Sequence, residues 1–310
     1  MSLSRRSLFS LLACTLLPTV PRSTRAAKRL TVVASFSILG DLVREVGGSS
    51  IDLHVLVGPD SDGHLYQPTP ADSRLLQRAD LVVINGLGFE GWIERLITAA
   101  GYARALLVAS EGITPLLTGG GSTPQPDPHA WQDVSRVRHY VKRISATLAA
   151  LDPDEAEAIA ARTVAYDAAL ESLDAEIRRQ ISTLPPQART VVTSHDAFRY
   201  FGNAYGLAFV APVGIDANSQ PSAADLARLL TQIRELQIRA VFIENISDPR
   251  LLSQITRQTG ARIGGTLYSD ALSPPNGPAA SYLALQRHNL RVLMAALQQH
   301  KSLPQHRQLP

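Results

Sequence analysis

The stretch that opens Asp152-Pro153-Asp154-Glu155-Ala156 and closes Leu184-Pro185-Pro186 decides how this chain folds. Asp152 is suited to cap a helix, Pro153 to the first helical position and Glu155 to the third. Ala156, Ile159, Thr163, Tyr166, Leu170, Leu173, Ile177 and Ile181 then recur at helical spacing until Pro185-Pro186 ends the pattern. Asp174 and Arg178 stand as an i, i+4 pair on the same rod. The spacing predicts one long helix over 153–184. A flexible connector would be short and rich in Gly, Ser and Pro, so this segment reads as a stiff strut in mid-chain.

On either side of the strut the same alternation appears. Before it, apolar runs at 30–34, 51–57, 81–84 and 105–109 are separated by helical patterns at 38–46, 71–78 and 92–100. After it, runs at 190–193, 207–213, 240–243 and 262–265 are separated by helical patterns at 197–205, 223–235 and 251–259, with a closing helix over 279–298. Buried strands alternating with helices indicate parallel βαβ units. The fold class is α/β: two four-stranded, mostly parallel lobes, 28–152 and 185–310, joined by one long rigid helix. At 310 residues each lobe is large enough for its own core.

Composition narrows the function. The pI near 9.2 suggests nucleic acid, but the excess charge is local. Residues 1–27 hold Arg5, Arg6, Arg22 and Arg25 and no acid, which takes four charges from the formal +3 and leaves −1. The rest of the chain therefore offers no basic face for DNA or RNA. Residues 1–27 read as an export signal: two arginines, an apolar run at 8–17, then small residues at Ala26-Ala27. Ser4-Arg5-Arg6-Ser7-Leu8-Phe9 also resembles a twin-arginine signal, and both export routes stay open. Cys14 is the only cysteine, so no intramolecular disulfide or thiolate cluster forms. Leu11-Leu12-Ala13-Cys14 offers a lipid anchor as an alternative to a freely periplasmic protein.

In an open α/β sheet, ligands sit outside the carboxyl ends of the strands. Four segments follow predicted strands: Asp62-Gly63-His64-Leu65-Tyr66-Gln67-Pro68, Asp127-Pro128-His129-Ala130-Trp131, Thr193-Ser194-His195-Asp196 and Tyr268-Ser269-Asp270. Two come from each lobe, so His64, His129, His195 and Asp270 are expected to meet in the interlobe cleft. Imidazoles suit borderline metals, and a carboxylate adds a hard oxygen and a negative charge. Four protein ligands leave no position for an activated water, which favours holding a metal over catalysis. The other histidines, His54, His139, His288, His300 and His306, lie in a strand, on helices or at the tail. Glu244, after the seventh strand, is either an acceptor that orients a ligating histidine or a loop cap.

These four motifs resemble the metal-ligand motifs of the zinc- and manganese-binding proteins of ABC importers, the ZnuA/TroA-like family. Asn85-Gly86-Leu87-Gly88-Phe89-Glu90-Gly91-Trp92 and Phe242-Ile243-Glu244-Asn245 are similar to further segments of that family. The resemblance covers essentially the whole chain after the signal. It implies two lobes bridged by a long helix, an extracytoplasmic monomer, and delivery of Zn2+ (Mn2+ as the alternative) to a membrane permease. Many zinc-specific members carry a His/Asp-rich insertion before the second histidine motif, whereas here the loop 118–128 contains no histidine. Manganese-selective members usually have Glu in the third motif, so His195 leans the site towards zinc. Because the long helix resists a hinge, metal release is expected from loop movement around His195 and Asp270.

Two rival readings are weaker. Gly86-Leu87-Gly88-Phe89-Glu90-Gly91 fits a dinucleotide fingerprint, but Glu90 would stand where pyrophosphate must approach. Ser194, His195 and Asp196 are adjacent in sequence, which is not the geometry of a hydrolase triad, and there is no Gly-x-Ser-x-Gly elbow.

Overall fold

The computed structural model describes residues 29–117, 124–214 and 222–298. The expected export signal, Cys14, residues 118–123 of the histidine-free loop, and the tail with His300 and His306 lie outside the described residues. The first lobe holds β1 (Leu30–Phe36), β2 (Ile51–Val57), β3 (Leu81–Ile84) and β4 (Ala105–Val108). Between and after them come α1 (Ser37–Gly47), α2 (Pro70–Arg78), α3 (Ile93–Ala100) and α4 (Val134–Leu151). A single tight turn, Pro153–Glu155, leads into the strut α5 (Ala156–Ser182). The second lobe holds β5 (Thr190–Val192), β6 (Ala208–Val210), β7 (Ala240–Glu244) and β8 (Arg262–Leu267), with α6 (Arg199–Tyr205), α7 (Ala223–Glu235), α8 (Arg250–Thr259) and α9 (Tyr282–Gln298).

Both sheets are four-stranded and parallel, ordered β2-β1-β3-β4 and β6-β5-β7-β8. The short apolar strands form because each is covered by helices, so a continuous apolar run is the stable pattern. In each sheet the order reverses next to the first strand, which opens a crevice at the carboxyl ends. A register shift at Val241/Phe242 sits opposite Gly264 and Gly265. A Cβ on Gly264 would meet the Phe242 ring at 2.6 Å, and Gly265 has φ 140, so glycine is required at this bulge.

The strut is fastened to both lobes. Ile159, Tyr166, Leu170, Leu173, Ile177 and Ile181 of the expected stripe are buried. At one end Arg162 donates to the carbonyls of Val46 (2.8 Å) and Gly47 (2.9 Å) at the end of α1. At the other, Arg178 pairs with Asp174 at 2.8 Å and donates to the Ala204 carbonyl of α6 at 2.7 Å. In each case an arginine satisfies carbonyls that a helix terminus leaves unpaired.

The core differs from the expectation of one core per lobe. A single cluster runs from β1 and α1 of the first lobe through α5 to Phe198, Phe201 and Tyr205 of α6 and to Tyr282, Leu285 and Leu293 of α9. A second, smaller cluster lies beneath α7 and α8, built from Val192, Leu229, Ile233, Val241, Leu252 and Ile255. The lobes are therefore joined by packing as well as by the helix. Among the described residues, no helix is long and apolar enough to cross a membrane.

Candidate metal centre

Each of the four expected residues follows a strand at the same edge, and the structure brings all four together. One nitrogen from each of His64, His129 and His195 and one oxygen of Asp270 lie within 4.8 Å of one another. Asp270 is central: His195 Nε2 stands 3.2 Å from its Oδ2, His64 Nε2 3.6 Å from the same oxygen, and His129 Nε2 3.6 Å from its Oδ1. The Nε2 atoms of His64 and His129 are 3.3 Å apart. Both Asp270 oxygens are buried, and among the described residues nothing but these imidazoles stands close enough to serve them. A buried carboxylate left in that state is costly unless a cation serves it.

The local sequence fixes each of these side chains. In Asp62-Gly63-His64 and Asp127-Pro128-His129 the aspartate accepts the histidine's backbone N–H, at 2.8 and 3.0 Å. This is an Asx turn used twice. The first turn is held by Trp92, whose indole donates to the Gly63 carbonyl at 2.8 Å. Gly63 is needed there, because a Cβ would meet the Phe89 ring at 2.6 Å. Asp127 Oδ1 also lies 2.8 Å from His129 Nδ1. That keeps Nδ1 protonated and leaves Nε2 for the cluster.

Glu244 takes the corresponding place beside His195. Its carboxylate lies 2.6 Å from His195 Nδ1 and accepts the His195 backbone N–H at 2.9 Å. Asp270 is held from the other lobe: Trp131 and Gln132 donate to the Ser269 carbonyl at 2.9 and 2.7 Å. The Leu272 N–H donates to the Ser37 hydroxyl at 3.0 Å. The Asp270 segment is thus clamped to the first lobe, which argues against the expected movement of that segment.

Charge follows from this geometry. Burial pulls the His129 imidazolium down, but Asp270 and Asp127 outweigh it and its pKa stands at about 9. Burial acts on His195 in the same direction, and Glu244 and Asp270 again override it, placing it well above the usual histidine range. Burial would raise Asp270, yet His129 and His195 hold it well below the usual carboxylate range. Without a metal the centre is a carboxylate between imidazolium groups, so a dication that enters must displace protons.

The rival readings fail on the same geometry. Glu90 is buried and turned inward, accepting from Asn85 N at 2.6 Å, Gly86 N at 3.1 Å and the Ser35 hydroxyl at 2.6 Å. The backbone donors a pyrophosphate would need are already taken. The Ser194 hydroxyl accepts from the Glu244 N–H, while the ring of His195 faces Glu244 and Asp270. Missed in the sequence were the roles of Asp127, Glu90 and Asn85. Asn85 donates to the Pro128 carbonyl at 3.0 Å and accepts from the Tyr140 hydroxyl at 2.6 Å. The repeated Asp-x-His spacing was the signal available for Asp127.

Two parallel α/β lobes around a buried cluster of imidazoles and a carboxylate define a metal-capturing protein, and comparison with known proteins agrees. Residues 32–296 match the family described as zinc-uptake complex component A, periplasmic. The chain belongs to this family of metal-binding substrate-binding proteins of ABC importers, a binding class and not an enzyme class. It is 32% identical over 271 residues to the manganese-binding lipoprotein MntA of Halalkalibacterium halodurans, covering 87% of this chain and 89% of that one. It is 34% identical over 260 residues to the iron-binding protein YfeA of Yersinia pestis, covering 84% and 83%. The solved structure of the periplasmic zinc-binding protein TroA from Treponema pallidum superposes with a TM-score of 0.82 at 30% identity, covering 87% of this chain and 99% of that one.

Proposed function

We propose that this chain captures zinc, with manganese as the alternative cargo, through His64, His129, His195 and Asp270, and passes it to the permease of an ABC importer. The observation that carries this reading is the buried Asp270 carboxylate facing three imidazole Nε2 atoms. The relatives' cargoes include manganese, iron and zinc, so the family alone does not choose. The donor set supports zinc: a nitrogen-rich, low-coordination site favours it, whereas manganese prefers more oxygens and binds more weakly at a generic site. Work outside the cytoplasm, after export by residues 1–27, accords with the periplasmic family and with a relative named as a lipoprotein. That relative's name supports the anchor reading of Cys14.

A ligand that binds only the native state stabilises it as its concentration exceeds the dissociation constant. Zinc at a hundredfold excess over its dissociation constant should add about 2.7 kcal/mol, read as a rise in Tm at neutral pH. Unchanged melting would count against the site. Coordination needs neutral imidazoles, and His129 is raised to about 9. Affinity should therefore climb as pH rises towards 9 and fall steadily below it. Calorimetry in buffers of different ionisation enthalpy should find protons released at pH 7, and no release would contradict the charge state described. Because one core spans both lobes, scattering curves with and without metal should nearly superimpose. A domain opening visible in those curves would refute that.

A further inference from the structure

We infer that the metal enters and leaves through a lateral passage in the first lobe, meeting His64 first on the way in and leaving it last on the way out. This rests on the reading of His64, His129, His195 and Asp270 as the metal ligands. The side chains of His129, His195 and Asp270 are at most 1% exposed, while His64 keeps 9%. Beside His64 lies a cavity of about 580 Å³, and His64 is the one member of the four that lines it. One wall is the loop from Leu87 to Gly91, the other the segment from Gln125 to Pro128. An ion with six waters needs on the order of 200 Å³, taking about 30 Å³ for each water. A hydrated cation therefore fits up to His64, where imidazole nitrogens begin to replace its water.

Both walls are fixed. Gly86, Leu87 and Gly88 have φ of 84, 56 and 84, and Glu90 locks this turn by accepting from Asn85 N and Gly86 N. The other wall is held by the Asp127 N–H to the Leu116 carbonyl at 2.8 Å and the Tyr200 hydroxyl to the Asp127 carbonyl at 3.0 Å. Asn85 ties the two walls together through the Pro128 carbonyl at 3.0 Å. The passage needs no separation of the lobes. Among the described residues on the opposite side, Glu244 backs His195, and Asp270 is clamped through Ser269 and Leu272.

A plug in a passage slows both directions equally and leaves the equilibrium unchanged. Gly91 lines the cavity and is exposed, and a Cβ there meets nothing within 4 Å, so Gly91→Phe adds a ring to the lining without a clash at Cβ. Gln125→Phe does so from the facing wall. Gly214→Phe is the control: it is equally open, but its carbonyl accepts from Asp196 beside His195 in the second lobe. Stopped-flow with zinc can follow the fluorescence of Trp131, whose ring lies 5.2 Å from that of His129. We expect Gly91→Phe and Gln125→Phe to lower association and dissociation rates alike by about ten-fold, which is roughly 1.4 kcal/mol on each barrier. Kd should stay at the parent value, and Gly214→Phe should change nothing. Parent rates in Gln125→Phe, or slowing by Gly214→Phe instead, would overturn the passage. Gln125→Phe decides the matter even if Gly91→Phe fails to fold. A parent chain that binds neither zinc nor manganese would sink the ligand assignment and not the route.

Discussion

Replacing Asp270 with alanine should weaken zinc binding about a thousand-fold, on the order of 4 kcal/mol, the scale of breaking one buried charge pair. Asp270 is the negative member of the cluster, and all three Nε2 atoms face its two oxygens. Removing it leaves a dication among neutral imidazoles at a site where three of the four side chains are buried. The isosteric Asp270→Asn keeps shape and volume but not charge, and most of the loss should remain. The metal-free fold should survive both changes, since His129 and His195 can give up their protons when the carboxylate is gone. Competition against a chromophoric chelator measures the change. If Asp270→Asn holds zinc as tightly as the parent, the carboxylate is not a ligand.

The second large effect is on selectivity, at His195. His195→Ala should weaken zinc and manganese alike, because both lose a ligand. His195→Glu keeps a ligand but exchanges nitrogen for oxygen, and should lose zinc affinity while narrowing the gap to manganese. The surroundings add a condition. The Glu244 carboxylate lies 2.6 Å from His195 Nδ1, so a glutamate at 195 faces a buried like charge, which cannot be ionised freely. His195→Glu alone should therefore bind both metals poorly at neutral pH. His195→Glu with Glu244→Gln should recover manganese by about ten-fold, a difference near 1.4 kcal/mol. Parallel titrations of both metals decide this. Equal zinc affinity in parent and His195→Glu would remove His195 from the ligand set.

Much of this architecture was legible because its causes are local. The stripe from Ile159 to Ile181 marked the strut, and short apolar runs between helices marked both parallel sheets. The clustering of His64, His129, His195 and Asp270 was legible because a parallel sheet sends the end of every strand to one edge. What was not legible depends on contacts distant in sequence. The single core through both lobes arises from Phe198, Phe201 and Tyr282 packing across the lobes, and no periodicity reports that. The expected strand 207–213 is only Ala208–Val210, since Pro212 has no N–H to donate to a ladder. The closing helix begins at Tyr282 rather than at 279, because Ser281 caps it by accepting from the Ala284 N–H. In the sequence Glu90 stands out only as an obstacle to a pyrophosphate, and its role in the loop is not visible there. It faces Asn85 and Gly86, and stabilises the loop that walls the passage.

The most direct test of the central assignment is X-ray absorption at the zinc edge on protein loaded with one equivalent. Three imidazole nitrogens and one carboxylate oxygen should appear in a single shell at about 2.0–2.1 Å. The multiple-scattering signature of three histidines should be present, and it should fall to two in His64→Ala. A shell with fewer than three imidazoles in the parent, or a spectrum that His64→Ala leaves unchanged, would contradict the centre described here.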